Sequence, residues 1–246
     1  MYKYPPYPTG IGAATAELFA EHGALLTIIG RNEERLRRVQ QKCQKPHGKQ
    51  PLCLRLDLTA DGSCEEVVKR TIETYSKMDI LINCVGKGLM TSLFDTTMEI
   101  FDELIALNLR VPYKLTLLCV PHLKKTKGNI VNVFSTAMRV RPGFLPFAMI
   151  RDAMGRFTQA GAVELASEGV RMNAVRPGIT RTNFLANMNV SPEMMNATYA
   201  TLAESLPNRV VIEPDEIANM ILFVASDCCP NLNAANIIVD GAASMT

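Results

Sequence analysis

The chain has 246 residues, of which 48% are hydrophobic and 20% are charged, a composition typical of a folded domain with a sizeable core. Lysine and arginine number 26 against 24 acidic residues, and a net charge of +2 is too balanced to favour a nucleic-acid or membrane partner. No uninterrupted apolar run reaches the roughly 18 residues of a membrane span, and the first residues lack a signal peptide's apolar region. Cysteines without zinc-site spacing predict free thiols, so we expect a cytoplasmic protein without a bound metal.

Short apolar runs alternate with longer helical patterns along the chain. The runs predict strands at 25–29, 52–57, 79–83, 129–134, 170–175 and 236–239. Helical spacing predicts helices at 33–43, from 63, from 96 towards 122, at 147–168, and after two prolines at 192 and 214. Ser63-x-x-Glu66 and Thr96-x-x-Glu99 resemble capping boxes, and Pro112 is expected to kink or break its helix. The alternation predicts an α/β fold, with a doubly wound parallel sheet in a single domain.

A glycine-rich turn precedes the first helical segment. Gly10-Ile11-Gly12 leads into residues 13–22, and glycines at a helix start let backbone N–H groups approach a phosphate. Taken alone, the pattern fits equally a helix entry that needs small residues. Because doubly wound sheets bind ligands at the carboxyl ends of their strands, further candidates are sought where the predicted strands end.

Several motifs, in order along the chain, resemble those of the short-chain dehydrogenase/reductase family. Gly10-Ile11-Gly12 resembles the end of that family's glycine-rich turn, and the segment 83–86 (Asn-Cys-Val-Gly) resembles its N-N-A-G turn. Residues 129–136 resemble the strand that delivers the catalytic serine, and residues 239–241 resemble the family's C-terminal end. We therefore expect a non-family segment at 1–9 and a Rossmann-type domain at 10–246.

The resemblance implies a dinucleotide site and a catalytic centre. The implied catalytic positions are Asn108, Ser135, Phe147 and Arg151. The implied cofactor contacts are Gly10, Ile11, Gly12, Arg31, Asn32, Asp57, Leu58, Asn83, Gly86, Arg151, Pro177, Gly178, Thr180 and Thr182. In this assignment Asp57 contacts adenine and the loop 177–182 covers the nicotinamide.

The end of the first predicted strand bears on the choice of cofactor. An acid at this point of a dinucleotide fold binds the ribose 2′-OH of NAD. Here Gly30-Arg31-Asn32 follows the strand, and a guanidinium suits a 2′-phosphate through a forked, charge-assisted contact. We therefore expect NADP(H) to be preferred over NAD(H), unless Arg31 is only a solvated loop charge.

The N-terminal segment departs from the family pattern. The family's first strand lies in the middle of its sheet, whereas Pro5, Pro6 and Pro8 lack the N–H that a central strand donates. Without that strand, its two neighbours would lie about 9–10 Å apart with unpaired inner edges. We expect an incomplete first βα unit and weakened cofactor binding, as in a truncated or misassembled gene product.

The catalytic pair departs as well. Family enzymes carry Y-x-x-x-K, in which Tyr donates a proton to the carbonyl and the charge of Lys lowers the Tyr pKa. Phe147 and Arg151 stand at these two positions with the spacing preserved. Phe has no donor, so we expect impaired turnover even though Ser135 and Asn108 are retained.

Three functions remain open at this stage. The first is NADP(H)-dependent reduction of a carbonyl, or oxidation of an alcohol, on a small-molecule substrate. The second is a catalytically inactive relative that binds nucleotide or pairs with related subunits as a homo- or hetero-oligomer. The third is a truncated product that folds poorly.

Overall fold

Strands and helices alternate through the computed structural model, which describes residues 10–47, 49–89, 91–94, 96–136, 143–184 and 191–245. The strands are β1 Thr27–Gly30, β2 Leu52–Arg55, β3 Ile80–Asn83, β4 Asn129–Val133, β5 Arg171–Pro177 and β6 Asn236–Val239. The helices are α1 Ile11–Glu21, α2 Glu33–His47, α3 Ser63–Tyr75, α4 Met98–Ile105, α5 Val111–Thr126, α6 Leu145–Leu165, α7 Pro192–Glu204 and α8 Pro214–Ala225. The predicted α/β class is confirmed.

Within the described residues the strands form two parallel sheets. One has the order β1-β2, and the other has the order β3-β4-β5-β6. Thr27 pairs with Leu52 in the first sheet, and Ile80 pairs with Asn129 in the second. No strand of the described residues lies between β1 and β3. The expectation of an incomplete first βα unit was based on the segment 1–9, which lies outside the described residues.

Apolar side chains of both sheets meet in shared clusters on each face. On one face, Leu26 beside β1 and Ile82 of β3 pack against a cluster that contains Phe19 of α1 and residues of α8. On the other face, Ile29 of β1 and Leu81 of β3 pack against a cluster built from α3 and α5. Helices therefore cover both faces and join the two sheets, which confirms the doubly wound architecture.

The long helical segment around Pro112 is continuous, so the predicted break does not occur. A π-helical turn, Ala106–Arg110, joins α4 directly to α5, and Pro112 lies in the first turn of α5. A wider turn accommodates a residue that has no N–H to donate, so the helix is adjusted rather than broken. By length and composition the segment from Met98 to Thr126 could cross a membrane, whereas Leu104 and Leu123 on it are buried in the core.

The predicted capping boxes are wrong. Gly62, in a left-handed conformation, precedes α3, so Ser63 is the first helical residue. Thr97 precedes α4, while the hydroxyl of Thr96 accepts a hydrogen bond from the Ser92 N–H at 2.7 Å. The [ST]-x-x-E pattern therefore placed both helix starts one residue away from their positions in the structure. At Thr96 the side-chain oxygen accepts a hydrogen bond from the backbone of a nearby turn instead of capping the helix.

A strained residue precedes the last strand. Ala234 has φ +62° in the turn before β6, a left-handed conformation that costs a residue with a Cβ about 1–2 kcal/mol. Its N–H donates to the Met172 carbonyl at 3.0 Å, so the turn is held against β5. Glycine is the residue that adopts this conformation without strain.

We predict that Ala234→Gly stabilises the protein. The free energy of unfolding should rise by about 0.5–1 kcal/mol, because relief of strain exceeds the entropy that glycine adds to the unfolded chain. Ala160→Gly, at an exposed position inside α6, is the control and should lower the free energy of unfolding by about 1 kcal/mol. Urea titrations measure both, and a destabilised Ala234→Gly variant would contradict the assigned backbone strain.

Candidate functional site

The predicted site residues lie where parallel strands end. Arg31 follows β1, Asp57 follows β2, Gly86 follows β3, Ser135 follows β4 and Gly178 follows β5. Carboxyl ends of parallel strands meet at one edge of a sheet, so the fold gathers these residues along a common edge. The site is therefore built on both sheets.

The start of α1 is open to an anionic group. Gly10 is the residue before the helix and makes no side-chain capping bond, and the first turn contains no acidic residue. A Cβ placed on Gly10 would meet no atom of the described residues within 4 Å, and one on Gly12 would lie 3.7 Å from the Cys84 sulfur. Burial raises the pKa of Cys84 to about 12, so a neutral thiol faces this turn.

Arg31 and Asp57 connect the ends of the smaller sheet. The Arg31 guanidinium lies 3.6 Å from the Asp57 carboxylate, and both side chains are largely exposed. The hydroxyl and N–H of Thr59 donate to Asp57, which lowers the pKa of that carboxyl, and the charge of Arg31 lowers it further. Asn32 accepts a hydrogen bond from the Arg35 N–H, and Leu58 packs in the α3–α5 cluster.

Two asparagines near the end of β3 have different environments. The Asn83 amide is buried and donates to the Asn132 side chain at 2.9 Å, so it links β3 to β4 beneath the edge. Asn108, in the π-helical turn, accepts from the Lys87 N–H at 2.9 Å and donates to the Lys87 carbonyl at 3.1 Å. Asn108 therefore holds the turn after β3, and its carboxamide oxygen would lie 3.1 Å from a Cβ on Gly86.

Ser135 and Arg151 converge on one carbonyl group. The Ser135 hydroxyl donates to the Thr136 carbonyl at 3.4 Å, and Arg151 Nη1 donates to the same oxygen at 3.4 Å. Both bonds are long, so neither side chain is firmly held by it. The Thr136 N–H in turn donates to the Pro177 carbonyl at 2.9 Å, which fixes the end of β4 against the end of β5.

Phe147 contributes an aromatic ring where the family pattern has a phenol. Its ring centroid lies 6.0 Å from that of Phe184, in a tilted arrangement that aromatic pairs favour. Phe184 also packs directly on Gly88, where any Cβ would come within 2.2 Å of the Phe184 ring. The part of this wall formed by Phe147, Phe184 and Gly88 is apolar, and none of these three side chains has a proton to donate.

Arg176 adds a second, partly buried cation close to Arg151. Its guanidinium lies 5.3 Å from the centre of the Phe134 ring. Burial lowers the pKa of Arg176, and the charge of Arg151 lowers it further, whereas Asp152 opposes the shift. The Nε atoms of both arginines are buried without a hydrogen-bond partner in the described structure.

The loop after β5 is held by an aromatic hydroxyl that the sequence motifs did not reveal. Tyr199 of α7 donates to the Thr182 carbonyl at 2.7 Å and accepts from the Thr182 N–H at 3.0 Å. The Thr180 hydroxyl donates to the Gly178 carbonyl at 3.1 Å. Gly178 is required here because a Cβ would lie 2.7 Å from the Cβ of Asp240.

This arrangement matches one protein family over nearly the whole chain. A family model described as enoyl-(acyl carrier protein) reductase matches residues 7–244. The chain belongs to the short-chain dehydrogenase/reductase family. An uncharacterized oxidoreductase of Thermotoga maritima is 30% identical, covering 95% of this chain and 92% of that protein. Carbonyl reductase [NADPH] 2 of Sus scrofa is 28% identical, covering 94% and 91%.

Solved structures of the family share this fold. A short-chain dehydrogenase/reductase of unknown function from Caenorhabditis elegans, crystallised with cofactor, superposes with a TM-score of 0.91. It is 31% identical, and the match covers 96% of this chain and 92% of that one. The Rossmann-type fold and the family resemblance predicted from the sequence are thereby confirmed.

Proposed function

We propose that this short-chain dehydrogenase/reductase binds NADP(H) in preference to NAD(H) and that its carbonyl reduction is strongly impaired. The observation that carries the proposal is Phe147, which stands at the position of the family's catalytic tyrosine and has no proton to donate. The substrate class is a small carbonyl compound or secondary alcohol. The family relationship and the NADPH named for the porcine relative support the cofactor assignment.

The residues at the strand ends fit a dinucleotide. The open start of α1 at Gly10–Gly12 suits a pyrophosphate, because helix N-termini favour anions. Arg31 suits a 2′-phosphate, Asp57 suits the adenine end, and the loop that contains Thr180 and Thr182 suits the nicotinamide end. When bound, the nicotinamide would supply or accept a hydride.

Proton transfer is the step for which the chain is poorly equipped. Ser135 can donate a hydrogen bond to a substrate oxygen, since its present bond to Thr136 is long. Phe147 cannot protonate that oxygen, and loss of a general acid costs about 10²–10⁴ in rate. We therefore expect a slow residual reaction at most.

Arg151 retains a positive charge, although there is no phenol whose pKa it could lower. Its side chain is buried and bonded to Thr136, on the side of the site that also holds Arg176. A second candidate function follows from the same residue, Phe147. It is a subunit that binds nucleotide without turnover and associates with copies of itself or with related subunits.

Replacement of Arg31 tests the cofactor preference. We predict that Arg31→Ala weakens NADPH binding about 10–100-fold and leaves NADH binding nearly unchanged, because only the 2′-phosphate loses a charge-assisted partner. The shift of the thermal midpoint with each nucleotide measures this. Arg156→Ala, at an exposed position of α6, is the control. Equal NADPH affinity in wild type and Arg31→Ala would contradict the preference.

Restoring the family residues tests the impairment. We predict that Phe147→Tyr combined with Arg151→Lys raises NADPH-dependent ketone reduction at least about tenfold, within the range expected for a general acid. The control is Phe94→Tyr combined with Arg156→Lys, which makes the same chemical changes at exposed positions. It should leave the rate of NADPH-dependent ketone reduction unchanged.

Two results would count against the proposal. Wild-type turnover as fast as that of the Phe147→Tyr, Arg151→Lys variant would contradict the proposed impairment of carbonyl reduction. Absence of any gain, in a variant whose thermal midpoint still rises with NADPH, would show that Phe147 and Arg151 do not limit the reaction.

A further inference from the structure

Two of the seven cysteines differ from the rest in their exposure. Cys43, Cys64 and Cys119 are buried, and Cys53 and Cys84 are partly covered. Burial raises the pKa of each of these five thiols. Cys228 and Cys229, adjacent in the sequence, are both exposed. A thiol reagent that cannot enter the core therefore meets this pair first.

The two exposed thiols belong to consecutive residues of one turn. They follow α8 in a turn, where the Cys228 sulfur lies 2.8 Å from the Ser226 hydroxyl oxygen and 3.9 Å from the Phe223 carbonyl. Burial raises the pKa of Cys229, and the neighbouring Cys228 thiol raises it further. Because the two cysteines are consecutive, their Cα atoms lie about 3.8 Å apart, and both exposed side chains leave the same turn.

The turn that carries the pair is fixed to the sheet. Arg171, at the start of β5, donates to the Ser226 carbonyl at 2.7 Å and to the Leu232 carbonyl at 3.1 Å. These bonds hold the chain on both sides of the cysteines, and the Asp227 carboxylate lies 3.9 Å from the same guanidinium. A ligand that needs both sulfurs would therefore lose little conformational freedom on binding.

The donor set restricts the class of ligand. Among the described residues there is no group of three or more His, Cys, Asp or Glu side chains that could hold a metal ion. A zinc site needs four ligands, or three and a water, so two thiols alone do not make one. A trivalent metalloid with one organic substituent needs two thiolates, which is the number available here.

We propose that Cys228 and Cys229 form a dithiol site that captures trivalent, monosubstituted arsenicals. In the reaction both S–H bonds break, two As–S bonds form on one arsenic atom, and the arsenic oxygen leaves with the two protons as water. Arsenic stays trivalent, so no oxidant or reductant is needed. The site lies at the amino end of β5, whereas Ser135 and Gly178 follow carboxyl ends, so it is separate from the proposed cofactor site.

Intact mass spectrometry of the full chain with phenylarsine oxide tests the site. The pre-reduced wild type should gain one phenylarsenic group that survives a wash with excess 2-mercaptoethanol and is removed by 2,3-dimercaptopropanol. Retention should be about 10²–10⁴-fold stronger than for one thiol, because the second bond forms within the same molecule. Cys228→Ser and Cys229→Ser should each lose the adduct in the monothiol wash.

Cys53→Ser is the matched control and should retain the adduct, since it removes a thiol from β2 and leaves the pair intact. Unchanged thermal midpoints of the serine variants establish that they fold. The proposal is overturned if the wild-type adduct is washed off as easily as that of Cys228→Ser. It is also overturned if the adduct survives the monothiol wash in a variant that lacks both cysteines.

Discussion

Backbone hydrogen bonds join a parallel strand only to its direct neighbours, and in the described structure none links β1 to β3. The two sheets are instead joined by side chains. Leu26 and Ile82 both pack against the cluster of α1 and α8, and Ile29 and Leu81 both pack against the cluster of α3 and α5. Within the described residues, apolar burial on both faces therefore connects the two sheets, at roughly 25 cal/mol per Å² of apolar surface removed from water.

The proposed cofactor site depends on this connection. Arg31 and Asp57 belong to the smaller sheet, whereas Ser135 and Gly178 belong to the larger one. A dinucleotide that contacts both groups needs their separation to be fixed, and the helical layers fix it. In the proposed function, different features limit chemistry and binding. The aromatic ring of Phe147 limits proton transfer, and the packing between the sheets limits how well the phosphate and nicotinamide ends are held.

Periodicity and turn residues predicted the fold because they report local and burial preferences directly. All six described strands overlap predicted ones, and the helix predicted at 147–168 spans Leu145–Leu165 with a short 3-10 turn after it. What the sequence could not reveal were contacts between distant segments. Three such contacts join residues far apart in the chain. They are the hydrogen bond of Tyr199 to Thr182, the hydrogen bond from Asn83 to Asn132, and the effect of the Arg151 charge on the pKa of Arg176. The π-helical turn before Pro112 was also missed, because no local pattern distinguishes it from a kink.

Native-state hydrogen exchange tests most directly whether the two sheets form one cooperative unit. The amides of Leu52 and Leu56 donate to the Leu26 and Gly30 carbonyls in the smaller sheet, and the amides of Asn129 and Ala174 donate to carbonyls in the larger one. Packing of both sheets between common helical layers predicts opening free energies that agree within about 1 kcal/mol. Opening of Leu52 and Leu56 at a free energy several kcal/mol below that of Asn129 and Ala174 would contradict it, and would mean that side-chain packing does not unite the two sheets.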